Sequence, residues 1–245
     1  IESFLYKRAD DIIVLLPGAV NYINSREIEK EKIHYIPNGV DIKFFDKNKE
    51  KYDLPENMNK LYNKNEFKII YTGAHGIANK LDIIIKAAAN IKGKYKDIKF
   101  YFIGEGTQKS HLKSLVKNYN LDNVEFFDSI DKKYIPAILS KADVLIVTMN
   151  DLEIYKFGIS LNKLFDYFAS KKPVIFSGDV LNDMVKVANA GISVPPLEPK
   201  KLTEAIIKMH QMSKVKRNHL GNNGREYVEE NHDISILVDK LEKLL

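Results

Sequence analysis

The sequence predicts an α/β protein built on a doubly wound parallel sheet. Two observations carry that reading. From Phe67 onward, short apolar runs alternate with amphipathic helical stretches. Three of those runs end in glycine followed by polar residues, the usual rim of a ligand-binding α/β sheet. Composition sets the frame. The chain has 245 residues, is 44% hydrophobic and 29% charged, and carries a formal net charge of +5. That is an ordinary globular balance. The excess of Lys lies on helix faces beside Glu and Asp, and no basic block stands alone as a nucleic-acid arm. There is no cysteine, which removes disulfides, thiolate metal sites and thiol nucleophiles. No apolar run approaches the roughly 20 residues needed to span a bilayer.

The elements follow in chain order. "IESFLYKRAD" reads as helix, "DIIVLLP" as strand, "GAVNYINS" as helix and "KIHYIP" as strand. These are too few to close a core alone. The Lys- and Asn-rich stretch from Asp41 to Glu66 reads as a connector or an exposed helical loop. Then "FKIIYTG" is a nearly continuous apolar strand and "LDIIIKAAANI" an apolar helix. Strand "IKFYFIG", helix "HLKSLVKNY", strand "VEFFD", helix "YIPAILSKA" and strand "DVLIVTM" continue the alternation. Helix "NKLFDYFAS", strand "PVIFSGD", helix "LNDMVKVANA", strand "GISVPP" and helix "PKKLTEAIIKM" complete it. Continuous apolar strands separated by helices mean a sheet buried on both faces. In the last segment, "HDISILVDKLEKLL", residues Ile234, Leu237, Val238, Leu241 and Leu244 fall near one helical face.

The three glycine-bearing strand ends are the candidate site. "YTGAHGIANK" contributes Gly73, His75, Gly76 and Lys80. "FIGEGTQKS" contributes Gly104, Gly106 and Lys109. "FGISLNKLFD" contributes Gly158, Ser160, Leu161, Asn162, Lys163 and Asp166. Glycine lets backbone approach a ligand, and the free N–H groups of a helix start attract an anion such as phosphate. Neither "GAHGIA" nor "GEG" completes the dinucleotide fingerprint, and no phosphate-loop motif ending in Gly-Lys-Ser/Thr occurs. His75 and His111 lack metal-ligand partners at helical spacing, so no metal site is expected. Asp82, in a first helical turn, reads as a dipole partner.

These residues also carry a resemblance. "IPNGVDIKFF", "FIGEGTQKSHLKSLVKNYNLDNVEFFDSI" and "SLNKLFDYFASKKPVIFSGD" resemble the interdomain signature, second βαβ unit and donor-site helix of family-four glycosyltransferases of the GT-B fold. "FGISLNKLFDY" is similar to the motif Phe-Gly-x-Ser-Pro-Asn-Lys-x-Phe-Asp-Tyr of a bacterial subgroup that adds amino sugars in surface-polysaccharide synthesis, the fucosamine-transferase type. The match covers nearly everything after Arg8. It implies a remnant of the acceptor domain and linker over 1–40, a Rossmann-like donor-binding domain over 41–230, and a C-terminal helix over 231–245 that packs back on the remnant. The chain begins without Met, inside a helical pattern. The expectation is therefore a fragment that binds donor but does not transfer alone.

By the same resemblance, Ser160, Leu161 and Asn162 offer backbone N–H groups to the diphosphate of a sugar nucleotide, expected to be UDP-linked. Lys163 adds positive charge, and Asp166 accepts from the ribose hydroxyls. Gly158 stands where the family has a first carboxylate, with Glu153 as a nearby substitute. Asn79 stands where a Lys is expected, one position from Lys80, and Lys109 is a further source of charge. The backbone of Ile130 would read the base. The implied reaction moves a hexose or N-acetylated amino sugar to a glycan or lipid-linked acceptor. Configuration is retained and no metal or cofactor is required. The implied place is the cytoplasmic side of the membrane, with peripheral association. Two alternatives stand beside this: a nucleotide-binding regulatory module, and a nicotinamide-dinucleotide domain whose fingerprint is incomplete.

Overall fold

The computed structural model describes residues 1–244. The chain opens with α1 (Glu2–Arg8), β1 (Ile12–Val14), α2 (Pro17–Asn24) and β2 (Ile33–Tyr35). β1 and β2 pair in parallel, and Ile12, Val14, Ile23, Ile28 and Ile33 form their small core.

The stretch expected to be a connector or an exposed helical loop holds a packed helix, α3 (Ile42–Lys51). The Asp41 carboxylate caps it, accepting from the Phe44 N–H at 2.8 Å. Its apolar stripe is narrow, with Ile42, Phe45 and Asn48 buried. The following 3₁₀ turn, Glu56–Tyr62, buries Met58 and Leu61. Few apolar residues are needed where a helix packs on neighbouring helices by one narrow face, here against Ile135–Ser140 and Asn162–Ala169, so the polar majority hides the pattern.

The main domain runs β3 (Phe67–Thr72), α4 (Leu81–Ile91), β4 (Ile98–Ile103), α5 (Lys109–Asn118), β5 (Val124–Phe127), α6 (Ile135–Ser140), β6 (Val144–Thr148), α7 (Asn162–Ala169), β7 (Val174–Ser177), α8 (Met184–Val187), β8 (Gly191–Val194) and α9 (Pro199–Gln211). All six strands are parallel, in the order β5-β4-β3-β6-β7-β8. The order reverses between β3 and β6, and the crevice beyond their carboxyl ends is where such sheets take ligands. β3 is buried along its whole length. One core lies on each face, as expected for a sheet covered on both sides.

Sequence periodicity did not reveal α10 (Lys214–Asn231). Only Gly221, Gly224, Arg225 and Val228 are buried on it. A Cβ at Gly221 would lie 2.1 Å from the Lys171 carbonyl. Two glycines let this helix approach by its backbone, so no apolar stripe marks it. Conversely, the segment "LNDMVKVANA" is helical only over the four residues of α8.

The C-terminal helix α11 (Ile234–Glu242) buries only Leu237 of the expected stripe. Ile234, Val238 and Leu241 are exposed. The contact it makes is with the Asn38–Val40 segment: Ile234 N–H donates to the Val40 carbonyl at 3.1 Å and Leu237 meets Gly39. No helix among the described residues is long and apolar enough to cross a membrane.

Candidate functional site

The loops after β3 and β4 are locked together, and glycine makes that possible. Gly73 donates to the Ile103 carbonyl, His75 N–H to the Glu105 carbonyl, and Gln108 N–H to the His75 carbonyl. A Cβ at Gly104 would lie 2.1 Å from the Gly73 carbonyl oxygen, and one at Gly106 2.5 Å from that of His75. Gly104 and Gly106 have φ of +144° and +154°. Their missing side chains are replaced by the neighbouring loop, so they admit protein backbone and not a ligand. Of the glycines in these two loops, Gly76 alone has open space beside it, with its nearest neighbour at 3.9 Å.

Two residues expected at the donor surface are interior. The His75 ring is fully buried among Tyr71, Phe102 and Phe126, and neither ring nitrogen finds a partner. Burial, helped by the Lys109 charge, brings its pKa down to about 4, so it is a neutral ring that shapes the loop. Lys109 is also enclosed. Its Nζ donates to the Gly104 and Phe127 carbonyls at 3.1 and 3.2 Å, to Glu105 at 2.5 Å and to Asp128 at 2.6 Å. It ties the ends of β4 and β5 and has no unmatched charge to offer a donor.

The start of α7 is different. Leu161 is its N-cap and provides no side-chain cap. The backbone N–H groups of Asn162 and Lys163 have no hydrogen-bond partner among the described residues. Lys163 folds back toward the end of β3. Its Nζ lies 2.7 Å from the Tyr71 hydroxyl, 3.0 Å from Asn79 Oδ1 and 4.5 Å from the Tyr71 ring centroid. A Cβ at Gly73 would sit 3.2 Å from the same ammonium. No carboxylate pairs with it among the described residues, and burial pulls its pKa down to about 8.

The loop before α7 is anchored from the chain's first segment. The Ser160 hydroxyl accepts from the Asn38 N–H at 3.0 Å, and the Ser160 carbonyl from the Asn38 amide at 3.4 Å. At Gly158, φ is +98°, and a Cβ would lie 2.7 Å from Asn182 Oδ1 and 2.8 Å from Pro17 Cδ. That is the physical reason no carboxylate stands there: the position has neither the conformation nor the room for a side chain. Glu153, the proposed substitute, is exposed, 3.9 Å from Lys156.

Asp166 lies one turn further along α7. It lines a cavity of about 90 Å³ with Gly39, Asp41, Phe44, Lys132 and Ile135. Its carboxylate forms no ion pair among the described residues. Burial pushes its pKa up to about 6, against the opposing charge of Lys132. Ile130 is half-buried in the adjoining loop. Lys80 adopts a left-handed φ of +44° at the N-cap of α4 and lines a separate hollow with Gly76, Gln108 and His111.

The fold therefore gathers Gly73, Gly76, Ser160, Leu161, Asn162 and Lys163 on the rim at the sheet's switch point, with Asp166 next along α7. It takes His75, Gly104, Gly106 and Lys109 into the supporting structure. Tyr71 and Asn38 are the site residues that sequence reasoning missed, and Asn79 was read only as standing in place of an expected Lys. Tyr71 looks like one more apolar strand residue, and only the strand's end position hints at more. Two larger hollows, of about 640 and 570 Å³, lie elsewhere and have no lining residue in common with this rim. Among the described residues, no group of three or more His, Asp or Glu is placed to hold a metal ion.

Comparison with known proteins agrees with this fold. Residues 54–227 match the family model described as glycosyl transferases group 1. The uncharacterized glycosyltransferase MJ1069 of Methanocaldococcus jannaschii is 22% identical over 246 aligned residues, covering all of this chain and 60% of that protein. Among solved structures, HepE of Anabaena in complex with UDP-glucose superposes with a TM-score of 0.78 at 16% identity, over 98% of this chain and 65% of its own. Sucrose-phosphate synthase of Thermosynechococcus elongatus gives 0.74 at 22% identity, over 99% and 59%. The chain thus spans about three fifths of these relatives. With the family model matching most of its length, the chain belongs to the glycosyl transferases group 1 family.

Proposed function

We propose that this chain binds the nucleotide-sugar donor of a glycosyltransferase. The donor is a UDP-linked hexose or N-acetylated amino sugar. It is transferred with retention of configuration to a glycan or lipid-linked acceptor in surface-polysaccharide synthesis. Residues 41–230 supply the donor site, 1–40 belong to the acceptor side, and 231–245 close the junction between them.

One observation carries the reading: a half-buried ammonium, Lys163, without a counter-charge, at a helix start whose N–H groups are free, on the rim of the sheet's switch point. An uncompensated charge in such a place is costly unless an anion arrives. The diphosphate fits the Lys163 ammonium and the backbone N–H groups of Ser160, Leu161 and Asn162 at the helix start. As the sugar departs, negative charge grows on that diphosphate, and preorganised donors stabilise it there. Asp166 takes the ribose hydroxyls, and the Ile130 backbone borders the base. The UDP and UDP-glucose found in HepE support a uridine donor here as well.

Calorimetric titration tests this. UDP should bind, while GDP and NAD should bind far more weakly. Lys163→Ala should weaken UDP binding by about 1.5–3 kcal/mol, the range for a hydrogen bond to a charged group. It should barely change binding of the nucleoside uridine, which lacks phosphates. Asp166→Ala should weaken uridine. Wild-type UDP affinity in both variants, with circular dichroism unchanged, would sink the site assignment.

A further inference from the structure

Lys163 and Lys109 lie at neighbouring strand ends but are handled in opposite ways. Lys109 is met by two carboxylates, Glu105 and Asp128. Lys163 is met by two neutral oxygens, the Tyr71 phenol at 2.7 Å and the Asn79 amide at 3.0 Å. The orientation of both oxygens is set by one carbonyl. The Tyr71 hydroxyl donates its proton to the Ala74 carbonyl at 2.8 Å, and the Asn79 amide NH₂ donates to the same oxygen at 2.8 Å. With both donors committed to Ala74, what each group turns toward Lys163 is a lone pair. The Tyr71 ring face adds a further attraction without charge.

We infer that Tyr71, with Asn79, is a positioning residue: it holds the Lys163 ammonium against the Gly73–Asn79 loop for the incoming diphosphate without neutralising it. The inference rests on the donor-site reading above. Its physical logic is that a carboxylate would hold the ammonium more firmly but would cancel the charge the diphosphate needs. A phenol and an amide oxygen solvate the ammonium and leave its net charge intact. Because both partners also bond Ala74, the lysine's place is coupled to the shape of the loop it faces.

The test is UDP binding to the whole chain by calorimetry, from about pH 7 to about pH 10, with every variant read against wild type at the same pH, so that titration of the nucleotide's own phosphate and uracil is common to all. Wild type should bind uniformly up to the point where Lys163 loses its proton, near pH 8, and progressively less above it. Tyr71→Phe keeps the ring and the packing but removes one acceptor, so the fall should begin at lower pH. At about pH 9 its affinity should be roughly threefold or more below wild type. Asn79→Asp places a carboxylate on the ammonium. Its affinity at about pH 7 should drop on the order of tenfold, and its fall should begin at higher pH. Lys163→Ala should show only the fall that titration of the nucleotide itself produces. Opposite displacement by the two variants is a signature that simple loss of packing cannot give. If Tyr71→Phe falls off at the same pH as wild type, or Asn79→Asp binds UDP as tightly, the inference is overturned while the donor-site reading stands. If Lys163→Ala binds UDP as wild type does, both are overturned. Should Tyr71→Phe not fold by circular dichroism, Asn79→Asp decides alone.

Discussion

Lys163 and Asp166 stand three residues apart on α7, where opposite charges often pair, yet each is turned into a different environment. Lys163 reaches β3, and Asp166 opens into the cavity beside Phe44 and Lys132. Both are held against the cost of desolvation. For Asp166, burial raises the folded pKa from 3.8 to about 6. A raised carboxylate pKa favours the protonated fold, so its stabilising share is complete below pH 4 and is lost as pH rises to about 6. Asp166→Asn should therefore raise the stability of the free protein at neutral pH by about 1–3 kcal/mol, and much less at about pH 4. Urea melts at the two pH values check this. A stabilised variant that binds uridine less well is the expected outcome, the usual trade at a binding site. An Asp166→Asn variant no more stable than wild type at pH 7 would show that the carboxylate is better solvated than its cavity implies.

At the scale of elements, the site exists because α7 is seated on β3. Tyr167, on the same helix, is fully buried, and its hydroxyl accepts from the Thr72 backbone N–H at 2.7 Å. That N–H ends a strand whose ladder it cannot continue, so the phenol is its partner. Tyr167→Phe keeps the volume and orphans the donor. It should cost about 1–3 kcal/mol in chemical denaturation, with an unchanged m value. The loops after β3 and β4 have the same logic in backbone form. At Gly104, alanine would meet the Gly73 carbonyl at 2.1 Å with φ at +144°, so Gly104→Ala should displace the Gly73–Asn79 loop. Loss of UDP affinity well beyond the loss of stability is the expected readout.

Across the whole molecule, Arg225 joins parts that are far apart in sequence. Its guanidinium makes two bonds to Asp46 of α3, at 2.9 and 2.7 Å, one to the Ala169 carbonyl at the end of α7, and one to Glu229 on α10. A lysine cannot form that fork. Arg225→Lys should cost about 1.5–3 kcal/mol near neutral pH. The Arg225 bonds hold the Asp46 carboxyl below its usual range. A depressed carboxylate stabilises the fold above its unfolded pKa and stops doing so as pH falls through the folded one. The gap between wild type and Arg225→Lys should thus narrow in acid. A gap that is the same at about pH 3 and pH 7 would count against the ion pair as its source. His232 plays a matching part at the chain's end. It stacks on Phe165 of α7 at 4.5 Å and bonds the Asn38 carbonyl, so the segment leading into α11 rests on α7.

What the sequence by itself determined is the alternation of strands and helices, and with it the parallel sheet and its glycine-bearing rim. Continuous apolar runs such as "FKIIYTG" and "DVLIVTM" have no other stable place than a sheet covered on both faces. It also marked the start of α7, because Ser, Asn and Lys before an apolar helix stand out locally. Elements that cover a surface with one narrow stripe or with glycine backbone, α3 and α10, were not legible. Their burial comes from what they meet and not from their own pattern. Tertiary structure alone decided which charges are available. Lys109 and Lys163 read alike in sequence, each following a glycine-bearing strand end. The fold supplied Glu105 and Asp128 to the first, and Tyr71 and Asn79 to the second. Whether a lysine is neutralised or left charged depends on side chains brought together across the sheet, over sequence separations of 84 and 92 residues for Lys163, and no local pattern encodes that meeting.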